Sequence, residues 1–341
     1  MVDFTLSSRL SRRSLIKNAA IAGAALPLAG AGGRLALAAD PAPARKAIKL
    51  GWFPNAACLS PVAEAQYGGI FAKHGLDVEL INFAGTTDQL LEALSTGKAD
   101  ASVGMALRWL KPLEQGFDVK LTAGTHGGCL RLLGSKEANV TSIESLKGKV
   151  VGVTDLGSPA KNFFSILLAK RGFDPAKDVE WRAYPSDLLP LAVEKGEVQA
   201  IAHQDPETFR FLKKPNLVEI ATNLSAEYAH RVCCVIGVRG SLVREDRATA
   251  AALTRALIEA QDVTAAHPET TADAYAQFVA NTSKEDIVAI LKSHTHGDHP
   301  VGDHFKHQLS EYIDELKLVQ VIKPSTDSAK FAEKIYADVL S

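Results

Sequence analysis

The sequence predicts an α/β chain with parallel-rich sheets flanked by helices, built as two halves joined by two crossing strands and closed by a helical C-terminal tail. Three observations carry this. Strand-like apolar runs alternate with capped helical stretches over residues 46–128, and the same rhythm returns over residues 142–221. Two apolar segments of like texture, Gly124 to Leu133 and Val232 to Val238, stand where one half would pass into the other. From Ser241 onward the periodicity is wholly helical.

The first half opens on a buried strand, Ala47 to Trp52, and a loop, Phe53 to Pro61. Val62 to His74 has helical spacing, with Gly75 as its stop. Leu76 to Phe83 alternates as a strand. Gly85-Thr86-Thr87-Asp88 is a helix-start signal for Gln89 to Ser95. Ala99 to Val103 reads as a strand, Ala106 to Gln115 as a helix, and Val119 to Ala123 as the strand leading into Gly124. In the second half, Lys149 to Val153 is a strand. Ser158 suits the N-cap and Pro159 the first position of a helix ended by Gly172. Val179 to Ala183, Ala200 to Ala202 and Leu217 to Ala221 are strands, with Leu188 to Lys195 a helix among them. The tail holds helical stretches at 246–266, 270–279, 284–291 and 304–318.

With 341 residues, 46% hydrophobic and 23% charged, the chain has ordinary globular composition and room for two domains. The net charge is −1, yet residues 1–39 hold five basic groups and the single acid Asp3. The remainder is therefore acidic, with no basic footprint, which excludes nucleic acid as a partner. Within that leader, Ser11-Arg12-Arg13-Ser14-Leu15-Ile16-Lys17 matches the twin-arginine export pattern. A mild apolar run from Ala19 to Ala31 and small residues at Ala36-Leu37-Ala38 follow. The run is shorter than the ~20 residues that span a bilayer. Residues 1–39 are expected to be a signal peptide for the periplasm; a retained anchor is the alternative. An oxidising compartment permits disulfides among Cys58, Cys129, Cys233 and Cys234.

Several segments, taken in order, resemble periplasmic solute-binding proteins of ABC importers, in the group that includes nitrate, bicarbonate, taurine and alkanesulfonate binders. They are Gly51-Trp52-Phe53-Pro54-Asn55, Ala72-Lys73-His74-Gly75-Leu76-Asp77-Val78, Gly97-Lys98-Ala99-Asp100, Ser145 to Val153, Glu194 to Ala200, and His267-Pro268-Glu269. The resemblance implies a two-lobed periplasmic-binding-protein fold of type II, with lobe one at 46–128 and 234–341 and lobe two at 129–233. It implies a monomer that captures a small polar or anionic solute and hands it to an ABC permease with its ATPase subunit. Neither a cofactor nor an enzymatic step is expected.

Ligand contact is expected from loops and helix N-termini: Asn55, Ala57, Cys58, Thr86, Thr87, His126, Gly127, Ser158 and Asp205. Asp205 has helix capping as its other role. An inward cation would suit an anion, and the candidates are Arg108, Arg131, Lys161 and His126. The thiols leave three readings open: structural groups, a disulfide from Cys129 to Cys233 or Cys234, or a soft pocket. The soft pocket makes a soft-metal or metal-complex binder one alternative function. A second alternative comes from resemblance to thiamine pyrimidine-precursor binding or synthase-like proteins, whose cysteine-rich run Cys233-Cys234 faintly matches. Finally, His294, His296, Asp298 and His299 have the spacing of a metal motif, with His304 and His307 beyond them. Its context differs from that of metal-dependent hydrolases, and a solvated polar connection between helices is expected there.

Overall fold

A computed structural model describes residues 45–83 and 87–341. The leader, with its export motif, and Thr86 lie outside the described residues. β1 (Lys46–Trp52) is followed by a 3-10 turn at Ala57–Leu59 and by two short helices, α1 (Ser60–Tyr67) and α2 (Ile70–Lys73). The periodicity predicts one helix here; Gly69 divides it by adopting a left-handed φ of +76°. β2 (Leu76–Asn82), α3 (Thr87–Ser95), β3 (Ala101–Met105), α4 (Ala106–Glu114) and β4 (Val119–Gly127) follow.

The second half runs β5 (Leu130–Ser135), β6 (Lys149–Val153), α5 (Pro159–Lys170), β7 (Val179–Ala183), α6 (Leu189–Glu194), β8 (Ala200–Gln204), α7 (Glu207–Phe211) and β9 (Leu217–Thr222). β10 (Val232–Arg239) then precedes α8 (Gly240–Glu245), α9 (Arg247–Ala266), α10 (Pro268–Tyr275), α11 (Lys284–Ser293), α12 (Gly302–Leu318) and α13 (Ser328–Ile335). The periodicity gives no sign of α7 and α8, which are too short to set up a repeat. It also misses α13, which restarts beyond Pro324 with Asp327 capping the N–H of Lys330 at 3.0 Å.

The strands form two five-stranded mixed sheets, ordered β2-β1-β3-β10-β4 and β7-β6-β8-β5-β9. In the first, β1 runs parallel to β2 and β3, while β10 is antiparallel to β3 and β4. In the second, β6 runs parallel to β7 and β8, while β5 is antiparallel to β8 and β9. Each half thus joins a parallel βαβ core to one strand arriving from the other half. The chain leaves the first sheet between β4 and β5 and returns to it between β9 and β10. Both Cys233 and Cys234 lie on the returning strand, in the first sheet.

The outgoing crossing needs a glycine. Gly128 has φ +67°, and a side chain there would collide with Leu224 and the carbonyl of Asn223. Asn223 clamps the two crossings together: its Oδ1 accepts the backbone N–H groups of Cys129 and Leu130 at 2.9 and 2.7 Å. The apolar core is continuous across both sheets, with Trp52, Trp109, Phe163 and Phe164 fully buried. Trp109 lies against the bare backbone of Gly104, where an added Cβ would come within 2.1 Å of its ring.

The connection at 294–300 is not the solvated loop expected. It lies along the free edge of β4, bridging Thr295 to Gly127 and accepting the N–H of Gly124 on the carbonyl of Pro300 at 2.9 Å. Covering an open strand edge in this way buries His294 and His296. Among the described residues, no helix is long and apolar enough to cross a membrane.

Candidate functional site

A cavity of about 260 Å³ opens where the C-terminal ends of β1, β3, β6, β7 and β8 converge. This is where open α/β sheets place ligands, because the loops leaving parallel strands splay apart there. After β1 come Phe53, Asn55 and Cys58; after β3, Arg108; after β6, Thr154, Asp155 and Ser158. Tyr184 and Ser186 follow β7, while His203, Gln204 and Glu207 come from β8 and the start of α7. The lining therefore draws on the strand ends of both sheets.

The first loop is pinned from two sides. Tyr275 donates its hydroxyl to the carbonyl of Pro54 at 2.6 Å, and Ala57 donates its N–H to the carbonyl of Asp205 at 3.1 Å. Opposite it, Ser158 caps α5, its Oγ accepting the N–H of Lys161 at 3.1 Å. Asp155 accepts the N–H of Gly157 at 2.9 Å and pairs with the guanidinium of Arg108. Arg108 is only 8% exposed, so this pairing sets a fixed cation in the wall beside the α5 N-terminus.

The remaining wall carries groups whose protonation is tuned by burial. Burial pushes the Glu207 carboxyl up to about 7, and one of its oxygens has no hydrogen-bond partner. Burial pulls the His203 imidazole down to about 4, although nearby Asp205 opposes it. The wall therefore combines the Arg108–Asp155 pair, a carboxyl poised to titrate near neutrality, and an imidazole kept neutral there. It is mixed in charge, and not a simple anion trap.

Of the residues anticipated, Asn55, Cys58 and Ser158 line the cavity. Ala57 lies in the same loop, and its N–H is engaged by Asp205. Thr86 is outside the described residues, and Thr87 is described only as the first residue of α3. Asp205 is fully buried below the rim. It accepts Arg131 Nε on both oxygens at 3.0 and 3.1 Å, meets His294 Nε2 at 3.1 Å, and accepts Thr208 Oγ1 and the N–H of Phe209. Burial alone would raise its carboxyl, but His294 and Arg131 hold it below the usual range.

His126 and Gly127 sit on β4 under the cavity; Gly127 shares hydrogen bonds with Thr295, donating its N–H at 3.0 Å and accepting the hydroxyl at 2.7 Å. Of the other cations considered, Arg131 is committed to Asp205 and Glu219. Burial lowers the ammonium of Lys161.

The four cysteines are free thiols in two close pairs, Cys129 with Cys233 and Cys58 with Cys234, each at 3.7 Å between sulfurs. Hydrogen bonds from Cys129 and Cys234 hold the Cys58 thiol well below its usual range despite burial. The neighbouring His126 would be depressed by burial alone, but Cys58 beside it raises its imidazole to about 9. Of the late cluster, His294 and His296 stand together, ring centroids 5.5 Å apart and both beside His126, while the others point away. His296 Nδ1 meets Gln261 at 2.8 Å, His299 meets Asp262 at 2.8 Å, and Asp298 faces His230 at 3.4 Å.

The sequence reading did not name Asp155, His203 or Glu207. A signal was available: each lies within three residues of the end of a parallel strand. What pattern could not supply was the burial of His203 or the environment that raises Glu207.

Two facing sheets with a cavity at their strand ends define the type II periplasmic-binding-protein fold. Solved structures agree in shape. The periplasmic aliphatic sulphonate binding protein SsuA of Escherichia coli superposes with a TM-score of 0.70 at 15% identity, covering 86% of this chain and 92% of that one. The alkanesulfonate-binding protein SsuA of Xanthomonas axonopodis pv. citri, bound to MOPS, gives 0.71 at 17%, covering 85% and 99%. The periplasmic nitrate-binding protein NrtA of Synechocystis PCC 6803 gives 0.70 at 18%, covering 88% of each. The model of the NMT1-like family matches residues 41–280, and the chain belongs to that family. No curated protein matches it by sequence.

Proposed function

We propose that the chain is the exported solute-binding component of an ABC importer, and that it captures a small polar solute carrying both an anionic and a cationic or donor group, as taurine does. The mixed-charge cavity is the observation that carries this reading. Arg108 and the α5 N-terminus suit a sulfonate or carboxylate, and Glu207 with Asp155 suits an ammonium or amino group. A volume of about 260 Å³ favours a ligand at or below the small end of the usual pocket range of roughly 300–1,000 Å³.

In this reading residues 46–128 and 232–341 make one lobe and 129–231 the other, β10 having joined the first sheet from Val232, with the two crossings acting as the hinge. The monomer works in the periplasm after export by the twin-arginine route, and presents its solute to a permease and its ATPase without making or breaking a bond. The periplasmic binding proteins of like fold support the class, and the match to the export pattern at Arg12-Arg13 supports the compartment.

Thermal-shift measurements on the chain lacking residues 1–39 test the reading, with taurine, alkanesulfonates, nitrate, bicarbonate and aminopyrimidines as probes. A rise in melting temperature with taurine or another zwitterion supports it. A rise confined to aminopyrimidines would favour the pyrimidine-precursor reading, with Phe53 and Tyr184 as stacking surfaces. A rise with nitrate or bicarbonate alone would overturn the zwitterion assignment.

A further inference from the structure

Beneath the cavity lies a group of side chains that solute capture leaves unused. Cys58 leaves the loop after β1, His126 stands on β4 and Cys234 on β10. Each offers one ligand atom, and those three atoms lie within 4.8 Å of one another. All three residues are fully buried. Cys58 and Cys234 also line the cavity, so the group forms part of its floor.

The spacing suits one ion. Two thiolates bound tetrahedrally at about 2.3 Å from a metal stand about 3.8 Å apart. The sulfurs of Cys58 and Cys234 are 3.7 Å apart. His126 supplies an independent sign. Its Nδ1 faces the carbonyl of Gly127 at 3.2 Å, while its buried Nε2 has no hydrogen-bond partner. The Nδ1 proton is held by that carbonyl, so an incoming ion would displace the proton on Nε2 and take up its lone pair, the arrangement that orients metal-binding histidines. The donor set decides the class of ion. Two sulfurs and an imidazole select soft or borderline cations over magnesium or calcium. With three protein ligands, the fourth position of a tetrahedral ion would stay open.

We propose that Cys58, His126 and Cys234 form a binding site for one thiophilic d10 cation, zinc(II) or copper(I), in the cavity floor. The ion enters by way of the cavity, and its open position is available to a solute bound above it. Cys129 and Cys233, the neighbouring pair of sulfurs, are not among the ligands.

The test uses the chain lacking residues 1–39, kept reduced. It is titrated with cobalt(II) as a coloured stand-in for zinc(II), and in parallel with copper(I) against a colorimetric chelator. The proposal expects about one ion per chain and, with cobalt, a thiolate charge-transfer band that zinc(II) abolishes. Retention only in the copper arm assigns the site to copper(I). C58S and C234S each weaken binding by at least about 100-fold and H126A by at least about tenfold, whereas C129S stays within about threefold of the unaltered chain.

Because a core variant can fail to fold, X-ray absorption on the unaltered, metal-loaded protein provides a second reading. Two sulfurs at about 2.3 Å and an imidazole nitrogen at about 2.0 Å support the site. A shell of nitrogen and oxygen alone, pointing to exposed histidines such as His230 and His307, overturns it. So does failure to retain either ion, or affinity unchanged in C58S and C234S.

Discussion

Asn223 holds Cys129 across the two crossings, its side-chain oxygen 2.9 Å from the Cys129 N–H and 2.7 Å from the N–H that follows it. One amide thereby satisfies two backbone donors at the point where the chain leaves the first sheet. Asn223→Ala would strand both donors in a buried position. The expected cost is about 2–6 kcal/mol, at roughly 1–3 kcal/mol for each of the two stranded groups. Urea denaturation should show a lower midpoint, and Asn223→Asp, which keeps the accepting oxygen, should recover much of it. An unchanged midpoint in Asn223→Ala would mean that the clamp is not needed to join the halves.

Asp205 ties three elements together, holding Arg131 of β5, His294 of the edge-covering segment and the start of α7. Asp205→Ala leaves the largely buried Arg131 guanidinium with Glu219 as its remaining carboxylate partner and should destabilise the protein by about 3 kcal/mol at neutral pH. The carboxyl is held below its unfolded value, so its contribution is present above that value and lost as the pH falls through the folded one. The stability gap between variant and parent should therefore narrow in acid. A gap that widens in acid contradicts the assignment.

How far these features were legible from sequence differs between fold and site. The βαβ rhythm, the Ser158 cap and the glycine stops at Gly75 and Gly172 are local signals, and the structure carries them where expected. Of the thiol pairs, Cys129 with Cys233 was one of the pairings open from sequence, while Cys58 with Cys234 was not legible. Cys58 meets Cys234 only because the loop after β1 and the returning strand are brought together by sheet order, which no spacing encodes. The same holds for His294, whose neighbourhood reads as polar but whose edge-covering role depends on β4 having no further strand partner.

Glu207 gives the cavity a pH dependence of definite sign. Its folded value, near 7, lies above the roughly 4.3 of an unfolded glutamate. Its contribution is therefore full below about 4.3 and disappears as the pH rises through 7. Glu207→Gln removes this dependence, so its stability relative to the parent should climb between about pH 4.5 and 7.5, by on the order of 2 kcal/mol after allowance for partial exposure. His203, drawn down to about 4, acts in the opposite sense, contributing stability that grows as the pH rises from about 4 to 6.5. Thermal melts of both chains across that range check the difference. A relative stability flat with pH would show that Glu207 is solvated in the folded protein.

The central claim is that a fixed cation and a carboxyl on the walls of one cavity hold a small solute of mixed charge. Calorimetric titration of the chain lacking residues 1–39 with taurine, repeated on Arg108→Met and Glu207→Gln, tests it most directly. Saturable binding to the unaltered chain, weakened by at least about tenfold (1.4 kcal/mol) in each variant, is the result predicted. Binding that survives both substitutions undiminished, or no binding of taurine by the unaltered chain, would contradict it.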